Sequence, residues 1–60
     1  MTAAEIYESM DECLERYRGM DFDVVLRAVR AHAAVLGRSA GRTEDEILNF
    51  YFRMRKLGEH

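Results

Sequence analysis

Two capping boxes bracket this chain and set its grammar. Thr2-Ala3-Ala4-Glu5 and Thr43-Glu44-Asp45-Glu46 each place a hydroxyl three residues ahead of a carboxylate. In that arrangement the threonine oxygen and the glutamate each satisfy a backbone amide at a helix start. The chain has no proline to stop what the boxes begin. After Thr2, the residues Ala3, Ile6, Tyr7, Met10, Cys13, Leu14, Tyr17 and Met20 fall on one helical stripe roughly 140° wide. Glu5, Glu8, Glu12, Glu15 and Arg16 lie opposite. Gly19 supplies the left-handed residue that commonly closes a helix, and Asp21 a cap for the next.

The middle of the chain carries two apolar seams. Phe22, Leu26, Val29, Ala33 and Leu36 follow one side, and Val24, Ala28, Ala31 and Val35 the far side, which leaves Asp23, Arg27, Arg30 and Ala34 as a narrow polar strip. A helix apolar nearly all round packs among others. It is expected to end at Gly37, with Gly37-Arg38-Ser39-Ala40-Gly41-Arg42 as a six-residue loop before the second box. Beyond the box, Ile47, Leu48, Phe50, Tyr51, Phe52, Met54 and Leu57 spread over roughly 220°. Gly58 closes that helix, and Arg53, Arg55 and Lys56 sit where positive charge suits its dipole. The expectation is all-α: a three-helix bundle, up-down-up, with helices over about 3–18, 22–36 and 44–57, in one domain spanning 1–60.

A chain of 60 residues buries only about 60% of its unfolded surface. Small chains reinforce so thin a core with disulfides, a metal or another subunit. Cys13 is the only cysteine, so no intrachain disulfide forms, and a lone thiol suits the reducing cytoplasm. His32 and His60 stand far apart with no second cysteine, so the spacing of a zinc site is missing. No apolar run reaches membrane-spanning length, and Met1 to Glu5 lacks the start of a secretory signal. Association remains. The segment from Ile6 to Leu57 holds 21 large apolar or cysteine side chains, more than a chain of this size hides readily, and exposed apolar patches mark interfaces. The far-side seam of Val24, Ala28, Ala31 and Val35, together with Leu48 and an outward Phe52, is the expected partner interface.

Residues that suggest chemistry are few. The loop of Gly37 to Arg42 resembles an anion cradle only superficially, because Glu44, Asp45 and Glu46 occupy the positive end of the helix it enters. Net charge is −2 but unevenly spread: residues 1–23 carry seven acids and two arginines, and residues 24–60 seven basic residues and four acids. That basic back half raises a helix-turn-helix reading, with Arg27, Arg30, Arg38 and Arg42 as phosphate contacts. A six-residue loop is long for that motif, and acids stand where its recognition helix reads bases. The acidic face of the first helix suits a basic partner or plain solvation. His32 has no evident catalytic companion, and Cys13, between Met10 and Tyr17 on an apolar stripe, reads as a core thiol. The expected function is a non-enzymatic protein-interaction module, a small regulator or inhibitor acting as a homodimer or on a larger protein. It requires no cofactor, no membrane and no small-molecule substrate. A small DNA-binding regulator is the alternative.

Overall fold

Both capping boxes form. In the computed structural model, which describes residues 1–58, the Glu5 amide donates to Thr2 Oγ1 at 3.2 Å and the Thr2 amide to Glu5 Oε1 at 3.0 Å. These bonds favour the ionised carboxylate and hold Glu5 below its ordinary range. They open α1 (Ala3–Arg16), which is followed by α2 (Phe22–Ala40) and α3 (Glu44–Gly58). α1 stops two residues short of the expected end. Its chain then turns through Gly19 at φ 90°, with the Met20 amide donating to the Tyr17 carbonyl at 3.1 Å. Asp21 stands at the start of α2, but its side chain makes no capping bond. Its carbonyl accepts the Val24 and Val25 amides instead, each at 3.0 Å.

The largest departure from the sequence reading is the end of α2. The helix passes through Gly37 and continues to Ala40, and the left-handed residue is Gly41, at φ 70° and ψ 32°. The amides of Gly41 and Arg42 both donate to the Gly37 carbonyl, the latter at 2.8 Å. This is the six-to-one closure of a Schellman turn. It folds the backbone of Arg42 back over Gly37, which is buried. A Cβ on Gly37 would collide with the Arg42 carbonyl oxygen and lie 3.4 Å from the Thr43 carbonyl carbon. Gly41 is therefore needed for its backbone angle and Gly37 for its missing side chain. The connection between α2 and α3 shrinks to Gly41, Arg42 and Thr43.

Contacts between helices fix their directions. Ser9 Oγ lies 2.7 Å from His32 Nε2, and Cys13 Sγ lies 3.8 Å from the Ala28 carbonyl. As α1 advances its partner residue on α2 recedes, so the two run antiparallel. Tyr7 stacks on Tyr51 with ring centroids 5.2 Å apart, and Asp11 pairs with Arg55 at 3.1 Å. Here both numbers advance together, so α1 and α3 run parallel and the bundle is up-down-up. The core between them consists of Ile6, Met10, Cys13, Val29, Ala33, Leu36, Ile47 and Tyr51. Tyr51 is fully buried. Its hydroxyl donates to Asp11 Oδ1 at 2.8 Å and accepts from Arg55 Nη1 at 3.0 Å, so the one polar atom of the ring is satisfied.

The core seam of α2 is only partly covered. Val29, Ala33 and Leu36 are buried, whereas Phe22 and Leu26 remain 75% and 39% exposed. Length explains this. At 1.5 Å per residue, the 19 residues of α2 outreach the 14 and 15 of its neighbours by several ångströms. The Gly37 turn pins its C-terminal end against α3, so the excess emerges at the N-terminal end. The Cα envelope measures 30 × 28 × 16 Å, a slab rather than a rod.

Two predictions follow from this packing. Gly37→Ala should lower stability by about 1–2 kcal/mol, because displacing the backbone of Arg42 outweighs a propensity gain of about 1 kcal/mol. Thermal melting would show a drop on the order of 10 °C; an unchanged or higher midpoint would disprove the close approach. Burial, and next the bond to Asp11, push the Tyr51 phenol up to about 12. A phenol in the unfolded chain titrates near 10, so its contribution is present below pH 10 and lost as pH rises from about 10 to 12. Tyr51→Phe should cost about 1 kcal/mol at neutral pH and flatten the alkaline decline, as read by urea unfolding across that window.

Candidate functional site

Phe22, Leu26 and Arg30 stand four residues apart on α2, and Glu44, Leu48 and Phe52 four apart on α3, so each set forms a row along one face of its helix. Arg30 Nε donates to Glu44 Oε2 at 2.9 Å and joins the two rows at one end. Beyond this pair the α2 row runs on into the overhang that carries Phe22, and the α3 row runs to Phe52, before the helix ends at Gly58. Exposure climbs along the series: Leu48 is half-buried against the core, Leu26 more open, Phe52 49% exposed and Phe22 75%. Each row thus ends in an exposed phenylalanine. Phe52 is backed by Tyr51, whose ring centroid lies 5.3 Å away. Asp23, Leu26, Arg27, Arg30 and Glu44 line a hollow beside the ion pair.

The residues expected at a partner interface lie on two faces. Leu48 and Phe52 belong to the α3 row. Val24, Ala31 and Val35 are exposed on the opposite side of α2, the two valines at 44% and 56%. Ala28 is half-buried and turned toward α1, where its carbonyl meets Cys13. Sequence reasoning placed Phe22 and Leu26 in the core. The available signal was that their seam is longer than either neighbouring helix can cover.

Of the four candidate phosphate-contacting arginines, Arg27 and Arg30 line one hollow and Arg42 another. Arg30 is tied to Glu44 and Arg42 to Glu46, at 3.4 Å. Arg27 and Arg38 lie exposed along the polar side of α2, with no ion pair recorded among the described residues. The start of α3 is also occupied: the Glu46 amide donates to Thr43 Oγ1 at 3.1 Å and the Thr43 amide to Glu46 Oε1 at 3.0 Å. That internal cap uses the amides an anion would need. The three-residue turn removes the length objection to a helix-turn-helix. The acids at the head of α3 keep the electrostatic one.

His32 does have a companion, one missed in the sequence because Ser9 sits 23 positions away on another helix. Both are half-buried, and their bond joins α1 to α2. The hollow described above is lined by other residues, as is a broader one of about 510 Å³ floored by Ile6, Ile47 and Phe50 and rimmed by Arg42 and Arg53. Cys13 is buried, and burial pushes its thiol up, away from the reactive thiolate. Among the described residues no three His, Cys, Asp or Glu side chains group to hold a metal, and no helix is long and apolar enough to cross a membrane. His60 lies outside the described residues. Compared with family models, curated proteins and solved structures, the chain matches none.

Proposed function

We propose that this chain is a non-enzymatic protein-binding module, a small regulator or inhibitor that docks a protein partner through exposed apolar residues at the N-terminal end of α2 and on α3. One observation carries the reading: Phe22 and Phe52 stand 75% and 49% exposed, each at the end of a row of side chains that starts from the Arg30–Glu44 ion pair. Aromatic side chains ringed by polar groups dominate binding energy at interfaces. The groups that suggest chemistry are used within the fold. Ser9 and His32 bond two helices, and Tyr51, Asp11 and Arg55 bond another two. A buried thiol suits the cytoplasm.

The short turn at Gly41 favours a second reading, a small DNA-binding regulator. Three acids at the head of α3 and the neutralisation of Arg30 and Arg42 weigh against it. The two separate in one experiment. Peptides selected from a random displayed library on the immobilised chain should lose binding to Phe22→Ala and Phe52→Ala proteins, with helicity unchanged, and keep it on Val35→Ala. Peptides indifferent to both phenylalanines would sink the docking face. A salt-dependent shift of duplex DNA, abolished by Arg27→Glu or Arg38→Glu, would establish the rival.

A further inference from the structure

We propose that the hollow bordered by the first turn of α1, the last turn of α2 and the first half of α3 binds a free amphiphilic carboxylate, an apolar body that ends in one acid group. The inference goes beyond the docking reading, because no residue of the Phe22 or Phe52 rows lines this hollow.

Small side chains leave the space open. Ala3 on α1 and Ala40 on α2 both border it, so each helix offers only a methyl group there. The volume is about 510 Å³, inside the range of about 300–1,000 Å³ usual for small-molecule sites. Its floor is an edge of the core. Ile6 and Ile47 belong to the buried cluster, and half-buried Phe50 packs against it. An apolar body laid on these residues extends the existing core, and the water it displaces is the driving force.

Charge names the other half of the ligand. The charged residues around the hollow are Arg42, Glu46 and Arg53, two cations against one anion, on a chain whose net charge is −2. Both oxygens of Glu46 are engaged: Oε1 accepts the Thr43 amide, and Oε2 accepts Arg42 Nη1. Arg53 makes no ion pair or hydrogen bond among the described residues. Glu46, Phe50 and Arg53 stand four and three apart, so they share one face of α3, with the aromatic ring between the charges. A guanidinium presents a planar fork that meets a carboxylate in two parallel bonds. The surplus at the rim is a single positive charge, which a carboxylate balances and a phosphate dianion would exceed.

The test is an NMR titration of the whole isotope-labelled chain with sodium octanoate, set beside octanol, which carries the apolar body alone, and acetate, which carries the charge alone. Octanoate should bind with a dissociation constant on the order of 1 mM and shift the amides of Ile47, Phe50 and Arg53. Octanol should bind about fivefold more weakly, and acetate should produce no saturable shift. Arg53→Gln should bring octanoate to the level of octanol, while Phe22→Ala changes neither. Ala3→Leu should weaken both by filling the hollow. Arg53 is exposed, so its variant decides the matter should Ala3→Leu disturb the fold. Octanoate that binds no better than octanol, or that keeps its advantage in Arg53→Gln, overturns the proposal. So do shifts confined to the surroundings of Phe22 and Phe52. Displayed peptides that require Arg53 while octanoate stays inert would assign the hollow to a protein's carboxylate instead. Failure here leaves the docking reading standing, because the peptide selection reports on Phe22 and Phe52.

Discussion

The approach of the Arg42 backbone to Gly37 governs the rest of this fold. A helix can be closed by one left-handed glycine, and Gly41 does that. What the closure also requires here is a bare Cα one turn earlier, so that the returning chain can lie on the helix it has just left. Gly37 therefore works as a packing residue, although its sequence context reads as a stop. With α2 and α3 clamped at that end, the surplus length of α2 has only one direction in which to emerge. The exposure of Phe22 is the far-end consequence of a contact made near the turn.

A thin core needs cross-links, and this chain makes them from polar groups. Tyr51, Asp11 and Arg55 tie α3 to α1, and Ser9 and His32 tie α1 to α2. Each lies beside the apolar cluster, where a bond gains strength from partial exclusion of water and an unpaired partner would be costly. Among the described residues no buried side-chain polar atom lacks a partner. The same pairs, taken out of context, resemble catalytic dyads. Their positions identify them as interhelical bonds, since each joins two helices that the apolar core alone covers sparsely.

The fold was legible where the deciding physics is local. Thr2 with Glu5 and Thr43 with Glu46 announced two helix starts, and the spacing of Ile6, Met10 and Cys13 announced the buried stripe of α1. The outward position of Phe52 followed from its place in an aromatic run on one helix. Reading failed where the physics is non-local. Gly37 and Gly41 are equally good stops by composition, and only the path of the chain after Arg42 separates them. Phe22 and Leu26 share the period of Val29, Ala33 and Leu36, and periodicity carries no information about where a neighbouring helix runs out. His32 seemed alone because its partner comes from another helix. The candidate site was therefore half visible, its α3 residues in the sequence and its α2 residues only in three dimensions.

Exposing Phe22 at the end of the overhanging α2, with Phe52 open on α3, turns large apolar surface toward water. Phe22 lies outside the capping boxes and the Tyr51–Asp11–Arg55 cluster, so its exposure is separable from the bonds that hold the bundle together. On the docking reading proposed above, a partner that covers this surface offsets the cost, because anything that binds only the folded chain stabilises it.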